Sequence, residues 1–570
     1  MSSLRRAVAF CVVSILIFAV VPAAATASQP RRDEARGLPA LAPSGGDGLT
    51  KALEREQLSR AEYALARAES LFRPRANSTR ASGTDPHLAT LYLRDLAAHL
   101  RDLDGAERRR GERLLARPTD GAADPHETGY GVAPEEVRRD CTEDFCIHWV
   151  ETTEDAPDVS LDVDGNGIPD WIDTMRAELT TVWMHFRSSG FRDPKKDLSS
   201  ANNGGDERLD VYVMNLFPKG MYGYCATDDP NMIAEGSTYP YFDASAYCVL
   251  ENDYAEYAMP GLPSLQVTAA HELFHAVQYA YDAFEDVWFL EGTAVWMEDE
   301  IYDDINDHLQ YLRASHMATP YVPLDKGDFE EQPYPYGSFL FWRFLSEYPV
   351  LGGGPSIIRE IWERADASPL GPHPAGFDDY SLLAVEKEVA GRGAPFGRVM
   401  SDFAVFNYVP EAFYEEGADY LARLGGRRPP LIKDELVTRW RPRKSGRAVL
   451  DHLTSAYASF RPGSGVKARR ANLLVKVDGP HRIKGTRASI LLLRTDGTFR
   501  MRAMPLDSEG KGKLWPTFGR GKIERIVLVL TNASTRFREP CYRGLTDFSC
   551  GGAIPLDEDK SFSFVVRLRQ

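Results

Sequence analysis

The stretch from Thr268 to Glu298, TAAHELFHAVQYAYDAFEDVWFLEGTAVWME, constrains this chain more than any other. Leu273, Phe274, Val277 and Tyr281 recur at helical spacing as one apolar stripe, so the spacing predicts a helix. Ser264, just after Pro263, is its expected N-cap. His271 and His275 then leave the same face one turn apart. Two neutral imidazoles so placed reach a single Zn²⁺ at about 2.0–2.1 Å each. Glu272 projects beside them, where a carboxylate takes a proton from a water that the metal activates.

A catalytic zinc takes a third protein ligand and keeps one position open. Glu291 is the candidate. Fifteen residues separate it from His275, room for the first helix to end, a turn, and a second helix to begin. Glu298 lies seven residues further, on the same helix face. From there it can hydrogen-bond the free nitrogen of a ligand histidine. Alternatively it heads a solvated acidic run through Asp299, Glu300, Asp303, Asp304 and Asp307. An isolated H-E-x-x-H arises by chance, but one followed by Trp288-x-x-Glu291-Gly292-x-Ala294 does not do so readily.

At 570 residues the chain is too long for one core. Arg5 and Arg6, an apolar run from Ala7 to Val21 and Ala25-Thr26-Ala27 predict a secretory signal over 1–27. No later stretch reaches about 18 apolar residues, so the expectation is a secreted protein without stable membrane insertion. Loss of the signal removes Cys11. The six remaining cysteines form three local pairs, Cys141/Cys146, Cys225/Cys248 and Cys541/Cys550, expected as disulfides. None has the spacing of a structural zinc site.

Charge and pattern divide the rest of the chain. Residues 28–130 open on a Pro- and Gly-rich linker. Helical stretches are then predicted over 49–72 and 87–116, either a small helical domain or a pro-segment. Residues 131–433 hold 54 acidic and 21 basic side chains, whereas 434–570 hold 13 and 27. The acidic middle argues against nucleic acid as a partner and suits Ca²⁺ or a cationic substrate. Leu473–Val477, Ile490–Leu493, Ile526–Leu530 and Phe562–Leu568 alternate with turn residues, which predicts a C-terminal β-sandwich over 434–570. The fold class expected is α+β.

Asp162-Val163-Asp164-Gly165-Asn166-Gly167-Ile168-Pro169-Asp170-Trp171-Ile172-Asp173 reads as a twelve-residue Ca²⁺ loop, with oxygens from Asp162, Asp164, Asn166, Asp170 and Asp173. It departs from the pattern by Asp at position 12 and Pro at position 8, and a plain Asp/Asn/Gly turn is the competing reading. A helix is predicted from Trp171 to Phe186. Strands are predicted at 208–216 and 246–250, the second as an edge able to hold extended substrate.

Trp288 to Glu298 resembles the W-x-x-E-G-x-A-x-x-x-E signature of the gluzincin metallopeptidases, which implies Glu291 as a zinc ligand. Pro333-Tyr334-Pro335-Tyr336-Gly337 resembles the P-Y-x-x-G segment of aminopeptidase-like gluzincins, whose tyrosine holds the oxyanion. Position for position that residue is Tyr334, with Tyr336 its rival. Together, DGNGIPDWID, TAAHELFHAVQ and WFLEGTAVWMEDEIYDD resemble a bacterial family of exported metalloproteases of myxobacterial type. The spacer after His275 is shorter than in thermolysin. The resemblance implies a zincin-like domain over 131–433, a Zn²⁺ cofactor and hydrolysis of peptide or protein substrates. No G-x-M-E-N-like segment lies upstream, which favours an endopeptidase. The alternative is a non-catalytic zincin-fold binding protein, attached to a cell surface or polysaccharide through its β-sandwich.

Overall fold

The structure is a computed structural model that describes residues 48–72, 86–120, 128–198, 200, 202–234, 237–327, 332–375, 377–468, 471–538 and 546–570. The expected signal lies outside these residues. The described chain is a mixed α+β structure with three sheets. Among its described residues no helix is long and apolar enough to cross a membrane.

The stretch read as one helix over 49–72 divides into Gly48–Glu54 and Arg60–Leu71. Glu56 takes φ 56° between them. Ser59 then opens the second helix with a capping box, accepting from Glu62 N at 3.2 Å while the Glu62 carboxylate accepts from Ser59 N at 2.7 Å. The 87–116 stretch likewise splits into Ala89–His99 and Gly105–Leu114. Every residue of the 89–99 helix is buried, and its apolar side chains share one core with the central region. Arg117, fully buried, places its guanidinium among Asp197, Asp210 and Asp228. Tyr247 donates a hydrogen bond back to the Leu115 carbonyl at 3.1 Å.

The central sheet contains β1 (Arg138–Cys141), β2 (Phe145–Trp149), β3 (Leu209–Met214), β4 (Gly223–Ala226) and β5 (Tyr247–Glu251) in the order β1-β2-β3-β5-β4. β2, β3 and β5 run parallel, and β1 and β4 close the two edges antiparallel. The strand expected at 246–250 is therefore an inner one, and the edge beside the motif helices is β4. GYCA is too short and small to announce itself as a strand, so the sequence points to its neighbour instead.

Cys141 sits opposite Cys146, and Cys225 opposite Cys248. Both pairs are disulfides between adjacent strands, each with Cα atoms 4.1 Å apart. Two disulfides suit an extracytoplasmic compartment. Of the third expected pair, Cys541–Cys550, Cys550 is disulfide-bonded and Cys541 lies outside the described residues. Cys550 itself lies in no strand. It takes φ 65° in the short turn of helix at Ser549–Gly552, and its backbone N–H donates to Asp286 Oδ2 at 2.9 Å.

The helix Leu262–Asp282 packs on β4 and β5, and the helices Asp170–Ser188 and Val287–Ile301 pack against it in turn. Ser264 does not cap the 262–282 helix. Gly261, at φ 73°, precedes it, Pro263 occupies the first turn, and the Ser264 hydroxyl turns back to the Met259 carbonyl.

From Leu431 onward two sheets form. One holds β6 (Leu431–Val437), β8 (Thr454–Pro462), β10 (Thr486–Arg494), β11 (Phe499–Ala503) and β13 (Ile523–Asn532), in the order β11-β10-β13-β8-β6. The other holds β7 (Arg443–Leu450), β9 (Asn472–Asp478), β12 (Lys511–Leu514) and β14 (Lys560–Arg569), in the order β12-β9-β14-β7. Alternate residues of both sheets, such as Leu528, Phe460, Val475 and Phe564, merge into one core. The opposite face of the five-stranded sheet, through Tyr457, Val527 and Val529, packs on Ala404, Val405 and Tyr408 of the Phe396–Tyr408 helix. Burial on both faces explains why IVLVL at 526–530 is continuously apolar rather than alternating.

Candidate metal centre

The 262–282 helix is buried on nearly every side, and its polar face turns toward the 287–301 helix. There His271 and His275 stand with ring centroids 4.8 Å apart. Glu291 Oε2 lies 3.2 Å from His271 Nε2 and 3.8 Å from His275 Nε2. One ligand atom from each of the three falls within 4.8 Å of the others, inside the reach of a single ion.

Each histidine is held by its other nitrogen. His271 Nδ1 is 2.6 Å from Glu298 Oε1, and His275 Nδ1 is 2.7 Å from Gln278 Oε1. Gln278 in turn donates to the Leu290 carbonyl at 2.9 Å and to Thr293 Oγ1 at 3.0 Å. Both Nε2 atoms are thereby turned to Glu291. Neither motif points to Gln278 or Thr293, though an amide three residues after His275, on the same helix face, is a usable signal.

Glu291 is fully buried, and among the described residues neither of its oxygens accepts a hydrogen bond, the two imidazole Nε2 atoms lying against Oε2 at 3.2 and 3.8 Å. Such a carboxylate costs on the order of several kcal/mol unless something positive lies against it. A divalent cation between Glu291 and the two Nε2 atoms supplies that partner, so the residues present fit zinc. Burial pushes His275 down to about 4 against the pull of Glu291, which keeps it in the neutral form that ligates. Burial also acts to lower His271, but the carboxylates of Glu291 and Glu298 outweigh it and raise its pKa.

The Glu-Gly pair is explained by packing. A Cβ at Gly292 would lie 2.1 Å from Ser338 Oγ and 2.6 Å from Trp342 Nε1. Glycine lets the Phe339–Glu347 helix close on this turn, where Trp288 stacks on Trp342 at 5.2 Å.

Glu272 lines a cavity of about 70 Å³ with His271, Glu298, Gly223, Tyr336 and His87. Burial pushes its carboxyl up to about 7, opposed by His271 and by the Thr90 hydroxyl, which donates to Oε2 at 3.0 Å. Burial likewise pushes Glu298 up to about 7 against His271. Thr90 Oγ1 also accepts from Cys225 N at 2.9 Å on β4. Nothing in the motifs points to Thr90, 182 residues from Glu272. Tyr336 stacks on the His271 ring at 5.8 Å and 19° and donates to the His87 carbonyl at 2.7 Å. Tyr334 is buried outside the cavity lining, so of the two tyrosines Tyr336 is the one brought to the site.

The Asp162–Asp173 loop lines neither the cavity nor the histidine pair, and it is exposed over 162–167. Asp162 accepts from the backbone N–H of Asn166 and Gly167, Asp164 accepts from Asn166, and Asp170 accepts from Val163. Arg176 pairs with Asp173, which therefore shares its charge with a guanidinium. The helix after it runs from Asp170 to Ser188, slightly longer than expected.

Protein-family models give no match to this chain, and neither do curated proteins.

Proposed function

We propose that the chain is an exported, zinc-dependent endopeptidase, with a zincin-like domain over 131–433 and a β-sandwich over 434–570. The observation that carries this reading is the buried Glu291, whose oxygens accept no hydrogen bond among the described residues, facing two oriented imidazole nitrogens at 3.2 and 3.8 Å, with Glu272 in the adjoining cavity. His271, His275 and Glu291 would hold the ion. When bound, zinc supplies a Lewis acid that polarises the scissile carbonyl and makes water more acidic.

The chain's own residues do the rest. Glu272 takes the proton of the attacking water and delivers it to the leaving amine. Thr90 fixes one oxygen of that carboxylate. Glu298 and Gln278 hold the ligand histidines in the tautomer that presents Nε2. Tyr336 is the tyrosine positioned to steady the developing oxyanion, exchanging its hydrogen bond to His87 for one to substrate. The rings of His87, Tyr222, Tyr311 and Tyr336 line the cavity, where a bound peptide would meet them. Edge strand β4, whose Gly223 lines the cavity, offers backbone groups for an extended peptide. We assign Ca²⁺ to the 162–173 loop as a stabilising ion outside the chemistry.

The test is zinc content and chelator-sensitive cleavage of casein by the purified full chain. One zinc per chain with cleavage that is lost on chelation supports the reading. Zinc bound without cleavage of casein or any peptide library would leave the non-catalytic scaffold.

A further inference from the structure

A second cavity, of about 1020 Å³, opens where the end of the acidic middle region meets the five-stranded sheet. Five arginines line it: Arg313, Arg423, Arg427, Arg428 and Arg525. No Asp or Glu does so among the described residues, although 131–433 holds 54 of them. Arg428 is neutralised by Glu411 at 2.6 Å and Arg525 by Glu524 at 3.1 Å. Arg313, Arg423 and Arg427 are exposed and meet no carboxylate among the described residues. Gathered guanidiniums repel, and a concave wall focuses their field onto whatever enters. Their forks match carboxylates in two-point geometry. Between them the wall is apolar, through Leu424, Pro430 and Leu431.

One element joins this cavity to the metal centre. The 3-10 run Asp307–Ala314 carries Asp307, Gln310 and Tyr311 in the catalytic cavity and Arg313 in the second. At about 2.0 Å rise per residue, Gln310 and Arg313 are separated by roughly 6 Å along that run. An extended polypeptide advancing about 3.3 Å per residue covers that separation in about two residues.

We infer that the arginine-lined cavity recruits an acidic polypeptide segment with interspersed apolar side chains, holding it while a neighbouring peptide bond enters the metal centre. The inference rests on the endopeptidase reading and narrows its substrate class. A uniformly hydrophilic polyanion would leave the apolar wall unpaired, and no exposed aromatic ring lines the cavity for bases to stack on.

The experiment uses the full chain and fluorescein-labelled twelve-residue peptides alternating Glu with Leu, or Gln with Leu, read by anisotropy at low and high salt. The Glu peptide binds at least tenfold more tightly than the Gln peptide. The preference shrinks with salt and is lost in Arg423→Glu/Arg427→Glu, with the single Arg427→Gln intermediate. In a second arm, one cleavable sequence is given an acidic or a neutral flank. The acidic flank lowers KM without changing kcat in the wild type only, and cleavage of the neutral substrate is equal in both proteins, which also shows the variant folded. A preference absent, or surviving in both variants, overturns the inference. So does capture of heparin without the Glu peptide, which makes the cavity a glycan site. Cleavage with no flank effect sinks the recruiting site alone. Binding of the Glu peptide with no cleavage of either sequence sinks the endopeptidase reading and leaves a binding site.

Discussion

His271 Nδ1 lies 2.6 Å from Glu298 Oε1, so the residue seven positions after Glu291 decides which nitrogen of His271 faces Glu291. Truncating it by Glu298→Ala should leave zinc bound but weaken it by about 10–100-fold, read by competition with a chromogenic chelator. Glu291→Ala should remove zinc altogether. The reverse order of the two effects would exchange their roles.

Arg117 binds three aspartates while fully buried, and it tethers 86–120 to the central region. Removing one partner of a buried ion cluster leaves uncompensated charge, which costs about 3–5 kcal/mol. Arg117→Met should lower the urea midpoint accordingly. A midpoint unchanged by the substitution would mean that the N-terminal helices are only loosely attached, as a removable pro-segment would be.

The motif helices were legible because their residues are local: three candidate ligands, a candidate base and the carboxylate behind His271 sit in one run of 28 residues, His271 to Glu298. The β-rich end was legible for the same reason, since Ile526–Leu530 and Phe562–Leu568 carry their pattern in neighbouring residues. What stayed hidden depends on distant parts of the chain meeting. Thr90 reaches Glu272 only because a wholly buried helix from the N-terminal region inserts beside β4. The edge strand lies one position over from the strand expected there, because strand order is set by crossovers and not by the pattern of the strand itself. No glycine or proline marks the break in the 49–72 stretch, where Glu56 takes the positive φ that ends the first helix.

His452 sits between Asp325, 3.0 Å from its Nε2, and Glu558 on its Nδ1, where the C-terminal sheets meet the central region. Burial alone would lower its pKa, but the two carboxylates outweigh it and push it up to about 10, against about 6.5 unfolded. Because the folded value is raised, the stabilisation is complete below about pH 6.5 and is lost as pH rises through about 10. Wild-type stability should therefore fall by on the order of a few kcal/mol more than that of His452→Gln between about pH 6.5 and 10. Parallel pH profiles in urea denaturation would refute the linkage.

The 162–173 loop crowds four aspartates into twelve positions, and one of them is shared with Arg176. Calcium that binds only the folded loop stabilises by about 2.7 kcal/mol at a hundredfold excess over Kd. Millimolar Ca²⁺ should raise the Tm of chelator-stripped protein, and Asp164→Ala should abolish that response with zinc content unchanged. A Tm indifferent to Ca²⁺ would leave the segment as a turn.

The most direct measurement is turnover of casein by Glu272→Gln at the same zinc content as the wild type. The amide keeps the shape of the carboxylate and the Thr90 contact but cannot take a proton. The account predicts one zinc per chain in both proteins and a rate reduced by about 10²–10⁴-fold in the variant. Equal zinc and a rate within tenfold of wild type would contradict it, because Glu272 would then not be the base of a zinc peptidase.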